Sequence, residues 1–127
     1  MLGQATAVGF VSTTDEARAR AFYEGVLGLT VHKDDFALVA RVGDGLLRIT
    51  TLPEFKASQA PAFGFKVDDI AAAVAGLTSQ GVAFEHYAFL GDAMGPEGVW
   101  TGPDGARVAW FKDPDGNLLS LTTPPPG

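Results

Sequence analysis

The sequence predicts an α+β domain built from two successive βαβββ modules, and three observations support this. The order strand, helix and three strands occurs twice along the 127 residues. Each predicted helix ends at a glycine, Gly28 or Gly81, and glycine tolerates the left-handed conformation common at helix ends. Shifting the chain by the spacing of these glycines also places Asp15 on Asp68. This is a weak internal repeat, supported by element order more than by identity.

The first module is expected over about residues 5–52. Residues 5–11 are mostly apolar and indicate a buried strand. Thr13 and Glu16 have the spacing of a capping box, which predicts the start of a helix. That helix carries an apolar stripe at helical spacing, formed by Ala19, Phe22, Tyr23 and Val26. Short strands separated by turn residues are then predicted over 29–33, 36–42 and 46–52.

A polar, proline-bounded linker is predicted over 53–61, a second module over about 62–123 and an extended tail over 124–127. In the second module, Asp68 or Asp69 can cap a helix whose apolar face includes Ile70, Val74 and Leu77. The strands predicted around this helix and after it cover residues 62–67, 82–90, 107–112 and 117–122. The whole chain is therefore expected to form a single domain.

Composition disfavours several classes of partner. The formal net charge is −6, a sign that repels nucleic-acid phosphates and anionic lipids. No apolar run is long enough to span a membrane, and the first residues do not resemble a signal peptide. The absence of cysteine excludes disulfides, thiolate metal ligands and cysteine nucleophiles. We therefore expect a cytoplasmic protein with neither a nucleic-acid nor a membrane partner.

Two motifs make the chain similar to a known superfamily. They are AFYEGVLGL at residues 21–29 and WFKDPDGN at residues 110–117. In this order and at these positions, the chain resembles the glyoxalase, bleomycin-resistance and extradiol-dioxygenase superfamily, also called vicinal oxygen chelate (VOC). The resemblance covers nearly the whole chain. It implies that the two modules form a cupped eight-stranded mixed sheet with the helices outside, and that the protein is a homodimer.

The resemblance also implies where a metal would bind. In metal-dependent members, four side chains facing into the cup hold a divalent ion, which acts as a Lewis acid on two substrate oxygens. Carried over one by one, these positions fall on Val8, Arg48, Ala62 and Ser120. Valine and alanine cannot coordinate a metal, serine is a poor ligand, and arginine has the wrong charge. We therefore expect no metal and no cofactor, and the superfamily's metal-dependent lyase or dioxygenase activity is disfavoured.

Strand alternation then predicts which side chains line the cup. Anchored on the superfamily's positions, this face is mostly apolar with a few polar groups, the usual composition of a small-molecule site. The candidate ligand-binding residues are Val8, Phe10, Arg48, Thr50, Ala62, Gly64, Trp100, Val108, Trp110 and Ser120.

Individual residues allow alternative interpretations. Trp110 is either an aromatic wall for a ligand or part of the core. Arg48 is either an anchor for a carboxylate or phosphate, or a solvated or interfacial arginine. Trp100 lies near a glycine-rich loop and either closes over the ligand or covers the sheet edge. His32 and His86 are expected on the surface, away from the metal positions.

Three functions remain open. The first is a metal-free protein of the bleomycin-resistance kind that binds an apolar or aromatic small molecule. The second is an enzyme of the glyoxalase, isomerase or dioxygenase type with an atypical site. The third is a non-catalytic interaction module. We assign no catalytic residue, and Asp104 and Asp115 are explained by turn formation alone.

Overall fold

The computed structural model describes residues 1–126, so Gly127, the last residue of the predicted tail, lies outside the described part. The strands are β1 (Val8–Thr13), β2 (Thr30–Lys33), β3 (Leu38–Val42), β4 (Gly45–Thr51), β5 (Pro61–Lys66), β6 (Val99–Thr101), β7 (Arg107–Lys112) and β8 (Leu118–Thr123). The helices are α1 (Glu16–Arg20), which continues into a π-helical turn (Ala21–Val26), and α2 (Ile70–Ser79), with short 3₁₀ turns at Leu2–Gln4 and Ala88–Ala93. No helix within residues 1–126 combines the length and apolar character needed to cross a bilayer.

The strands form two four-stranded sheets of identical topology. Their orders are β1-β4-β3-β2 and β5-β8-β7-β6. In each sheet the first strand of the module pairs in parallel with the last, and the remaining pairs are antiparallel. Strands β1 and β5, the inner edges of the two sheets, contact each other. The predicted α+β fold with two βαβββ modules is therefore confirmed.

The core lies between the sheets and the helices. In β4, Leu47 and Ile49 are buried while Arg48 between them is only half-buried, as strand alternation predicts. Tyr23 from the first module and Phe111 from the second belong to the same buried cluster. Fully burying a large apolar side chain contributes about 1.5–3 kcal/mol. Because one cluster contains residues of both modules, they share a single core.

A close approach at Gly9 and Phe63 joins the two sheets. A Cβ atom at Gly9 would lie 2.5 Å from the Phe63 ring, so only glycine leaves room for that ring against β1. Phe63 in turn contacts Phe65 edge-on, with ring centroids 5.2 Å apart. The seam between β1 and β5 is therefore filled by aromatic side chains.

The helix start differs from the prediction. The residue that caps α1 is Asp15, whose side chain accepts a hydrogen bond from the Arg18 backbone N–H at 3.1 Å. Thr13, predicted to begin a capping box with Glu16, is buried, and its hydroxyl lies 2.5 Å from Asp115 Oδ2. The capping-box prediction is wrong because the Thr13 hydroxyl donates its hydrogen bond to Asp115, a residue distant in sequence. Asp69 is the N-terminal cap of α2. The helix ends predicted at Gly28 and Gly81 are confirmed, since both glycines have positive φ angles.

The predicted strand over residues 82–90 is also wrong. Only Phe84 forms an isolated bridge, to Phe111, and the Glu85 N–H donates to the Trp110 carbonyl at 2.7 Å. The chain then enters the 3₁₀ turn at Ala88–Ala93. Strand β6 pairs with the neighbouring part of β7, from Arg107 to Ala109. The outer edge of β7 is thus shared between two segments, which leaves too little of it for a nine-residue strand. At the module boundary, Pro61 begins β5 instead of closing the linker.

Candidate ligand-binding site

The open face of the second sheet carries a cavity of about 400 Å³, here called the aromatic cavity. Trp100 in β6 lies opposite Val108 in β7, so it shares a face with Trp110 two residues further along β7. The 3₁₀ turn and the residues before it add further rings. The lining consists of Gln59, Pro61, Tyr87, Phe89, Leu90, Trp100, Trp110 and Leu118.

The rings of this cavity form a continuous wall. The centroids of Trp100 and Trp110 are 6.2 Å apart, and those of Tyr87 and Trp110 are 5.4 Å apart and nearly edge-on. Phe89 lies 5.7 Å from Tyr87 and is 84% exposed. These separations fall within the range of favourable aromatic pairs. The sequence singled out Trp110 and Trp100 but missed Phe89, which was assigned to a strand.

A second cavity adjoins the first beneath residues 53–60. This polar cavity has a volume of about 430 Å³. Its lining consists of Phe55, Lys56, Ala57, Ser58, Gln59, Glu85, Tyr87, Lys112, Asp115, Gly116 and Leu118. Lys112 Nζ lies 3.3 Å from Glu85 Oε1 within it. Burial, followed by the nearby Glu85 charge, raises the pKa of Tyr87 and outweighs the opposing effect of Lys112. A phenol is protonated at neutral pH even at its ordinary pKa of about 10, so Tyr87 can donate a hydrogen bond.

The remaining candidates on the second sheet lie beside the aromatic cavity. Ser120 in β8 pairs with Trp110 on one side and with Gly64 in β5 on the other. A Cβ at Gly64 would lie 2.7 Å from Ser120 Oγ, so the glycine leaves that hydroxyl accessible. Val108 lies two residues before Trp110 in β7 and therefore on the same face. Ala62 lies where the pairing of β5 with β8 shifts register, between Pro61 and Phe63. The strand order thus brings most of these candidates onto one surface.

The candidates on the first sheet form a separate group. Phe10 in β1 lies opposite Arg48 in β4, and Val8 and Thr50 flank this pair on the same face. Phe10 is 64% exposed and Val8 is 42% exposed. None of the four lines the aromatic cavity. The two sheets adjoin where β1 contacts β5.

Arg48 already has an anionic partner. Its Nη2 atom lies 2.9 Å from Asp34 Oδ2, and both side chains are partly exposed. Hydrogen bonds from the Phe36 and Ala37 backbone amides, followed by Arg48, lower the pKa of Asp34 to about 2. The guanidinium charge of Arg48 is therefore balanced within the first sheet.

The four positions that the superfamily resemblance assigns to a metal do not fit a divalent ion. Val8 and Ala62 offer only carbon, Ser120 a neutral hydroxyl, and Arg48 a cation. Among residues 1–126, no cluster of three or more His, Cys, Asp or Glu side chains could hold a metal elsewhere. The two histidines do not alter this, since His32 and His86 are both exposed. No chemical step can be derived through a metal at these positions.

The turn between β7 and β8 holds the two modules together. Asp113 Oδ2 accepts a hydrogen bond from the buried Tyr23 hydroxyl at 2.6 Å. Asp113 Oδ1 accepts the backbone amides of Asp115 and Asn117, both at 2.9 Å. The Asn117 side chain donates to the Ser12 carbonyl in β1 at 2.8 Å. These polar groups are therefore occupied by structural hydrogen bonds.

Asp115 completes this attachment. It accepts hydrogen bonds from the Thr13 hydroxyl at 2.5 Å, the Thr14 amide at 3.1 Å and Arg18 Nη2 at 2.6 Å. Burial acts to raise the pKa of Asp115, but these hydrogen bonds together lower it below its usual value. The sequence indicated only a turn residue here. Its partners lie about 100 positions away, so no local pattern could have revealed the contact.

Fold and site together define a class: a two-module βαβββ domain whose open face presents aromatic rings and, as far as residues 1–126 show, no metal-ligand set. The family model described as Glyoxalase/Bleomycin resistance protein/Dioxygenase superfamily matches residues 4–121. The chain belongs to this superfamily.

Solved structures agree with this assignment. An antibiotic binding protein from Streptomyces sp. CB03234 is 25% identical, with a TM-score of 0.73 and coverage of 98% of each chain. A glyoxalase family protein from Enterococcus faecalis is 22% identical, with a TM-score of 0.74 over 96% of this chain and 99% of that one. A lactoylglutathione lyase from Agrobacterium tumefaciens is 17% identical, with a TM-score of 0.72 and coverage of 94% and 93%. The last two likenesses show the fold alone. A search of curated proteins found no match.

Proposed function

We propose that this protein binds an apolar or aromatic small molecule on the open face of its sheets, without a metal. The observation that carries the proposal is the wall formed by Trp100, Trp110 and Tyr87 in the aromatic cavity. Rigid rings give a planar ligand a large contact area at low entropic cost. The likeness to an antibiotic binding protein supports the same class of function.

The proposed contact surface extends beyond the aromatic cavity. A pocket of about 400 Å³ lies within the usual size range of small-molecule sites, which spans roughly 300–1,000 Å³. Larger ligands would reach the adjoining open faces. The further contact residues we propose are Val8, Phe10, Arg48, Thr50, Ala62, Gly64, Val108 and Ser120. Sequestration of a ligand requires no catalytic group, which agrees with the side chains at the four positions carried over from the superfamily.

We further propose a cytoplasmic homodimer. The absence of cysteine fits a reducing compartment. Phe10 and Val8 stay exposed on the first sheet, a face that a ligand or a second copy would cover. Light scattering should give twice the mass of one chain, and Phe10→Asp should lower it to the mass of one.

Calorimetric titration against a panel of planar antibiotics and hydrophobic metabolites tests the proposal. We expect at least one compound to bind, and Trp110→Ala to weaken it about tenfold or more, as for a central interface aromatic. Phe89→Ala should also weaken binding, and because Phe89 is largely exposed, this variant should fold normally. Phe36→Ala, an exposed ring outside the cavity, is the matched control.

Two results would contradict the proposal. If no compound binds to the folded protein, the interaction module becomes the better explanation. If a compound binds but neither the Trp110 nor the Phe89 variant weakens it, the ligand lies elsewhere. Circular dichroism of each variant separates loss of binding from loss of fold.

A further inference from the structure

We propose that the ligand combines an aromatic part with an acidic group, a carboxylate or phenolate, that enters the polar cavity and contacts Lys56. This inference rests on the proposed function, because it assumes that the aromatic part lies against Trp110. It adds the chemical class of the ligand and the residue that selects it.

The two cavities are direct neighbours. Gln59, Tyr87 and Leu118 line both of them. A ring packed against Trp110 is therefore next to Tyr87, whose ring centroid is 5.4 Å from that of the tryptophan. We infer that a substituent on such a ring reaches the polar cavity past these shared residues, while the ring itself stays among apolar groups.

The charges of the polar cavity favour an anion. Asp115 is neutralised by Arg18 at 2.6 Å, and Glu85 by Lys112 at 3.3 Å. Lys56 is different, since no ion pair involves it in the described range of the chain, residues 1–126. Once the paired charges cancel, one ammonium group remains at this end of the site.

Neutral donors reinforce this preference. The Ser58 oxygen accepts the Ala60 amide at 3.0 Å, which leaves its hydroxyl hydrogen available to donate. Tyr87 also lines this cavity, and its phenol is protonated at neutral pH even at the ordinary pKa of about 10, so it is a second neutral donor. Hydrogen bonds to an ionised acceptor are roughly twice as strong as neutral ones, so this set of donors selects an acid over an amide of equal shape.

Arg48 is the alternative anchor for an acidic group. It lies on the first sheet, its charge is balanced by Asp34 at 2.9 Å, and it lines neither cavity. An anion that bound there would meet a guanidinium whose charge Asp34 already balances, and would bring a second negative charge close to Asp34. Lys56 has no such competing carboxylate, which is why we assign the acidic group to it.

Calorimetric titration of the full chain with 2-naphthoate and 2-naphthamide tests this inference. The two probes have the same ring system, and only the first is charged at pH 7. We expect naphthoate to bind more tightly than naphthamide, and Lys56→Gln to weaken naphthoate roughly threefold to fivefold. Naphthamide binding should not change. Lys33→Gln, which removes an equal charge on β2 outside both cavities, is the control and should affect neither probe.

Each other outcome overturns the inference in a distinguishable way. If both probes bind equally to the wild type and to Lys56→Gln, the ligand class is wrong but the aromatic site stands. If Arg48→Gln weakens naphthoate selectively and Lys56→Gln does not, the acidic group lies over the first sheet. If neither probe binds, the inference fails, and the panel titration described above decides separately whether the proposed function fails with it.

Discussion

Replacing Tyr23 by phenylalanine tests the attachment between the two modules. The Tyr23 side chain is fully buried, and its hydroxyl donates to Asp113 Oδ2 at 2.6 Å. The change removes that single donor and keeps the ring, which contacts Phe22 edge-on. The carboxylate retains the Asn117 side chain as a partner for the same oxygen. Any loss of stability therefore reports the hydroxyl and not the packing.

The expected loss is about 1.5–3 kcal/mol of unfolding free energy, the usual contribution of a hydrogen bond to a charged group. In a chain of this size each kcal/mol shifts Tm by about 4 °C, so Tm should fall by about 6–12 °C. Urea unfolding followed by circular dichroism should show a lower midpoint at unchanged slope.

Dependence on pH gives a second measurement for the same variant. Burial, followed by the Asp113 charge, raises the pKa of Tyr23 far above its ordinary value near 10. Above about pH 10 the unfolded chain loses this proton and the folded protein keeps it, so the contribution of Tyr23 to stability declines as pH rises. The difference in unfolding free energy between wild type and Tyr23→Phe should therefore have its full value below pH 10 and become smaller above it.

Tyr87→Phe is the matched control for this prediction. It also removes one phenol, but the Tyr87 hydroxyl makes no hydrogen bond within residues 1–126, so the change should stay within about 0.5 kcal/mol. Equal effects of the two variants at pH 7 would refute the assignment of a strong bond to Asp113.

Two further predictions concern Asp115 and Gly9. Asp115→Asn should lower stability by about 1–2 kcal/mol at pH 7. Because the folded pKa of Asp115 is lowered, this difference should shrink below about pH 4 in urea titrations; a difference constant with pH would contradict it. Gly9→Ala should cost about 1–3 kcal/mol, since its Cβ would lie 2.5 Å from the Phe63 ring. Gly25→Ala, with open space around it, should instead be neutral or stabilising, and equal urea midpoints for the two variants would refute the steric argument.

Local chemistry made much of the fold predictable. Gly28 and Gly81 end helices because their positive φ angles disfavour other residues. The half-burial of Arg48 between two buried neighbours follows from strand alternation alone. The fold class therefore depended on patterns that span a few residues each.

Contacts between residues distant in sequence explain the parts of the fold that could not be predicted. Thr13 looked like a helix cap, but Asp115, distant in sequence, engages its hydroxyl. Residues 82–90 have the composition of a strand, but β6 already pairs with part of the edge that they would need. As a result Phe89 lies in the 3₁₀ turn at Ala88–Ala93, where it is 84% exposed and its ring centroid is 5.7 Å from that of Tyr87. Strand alternation would also place these two residues on one face, but it could not have given the turn that carries Phe89.

Within the WFKDPDGN motif of residues 110–117, Asp113 and Asn117 have structural roles that involve no ligand. Asp113 and Asn117 fold the β7–β8 turn and fasten it to Tyr23 and to the Ser12 carbonyl. In this protein these hydrogen bonds attach one module to the other and use none of the side chains of the aromatic cavity. A match at this turn is therefore evidence for architecture, and function has to be argued from the open face. In this protein that face presents tryptophans beside a lysine-bearing cavity.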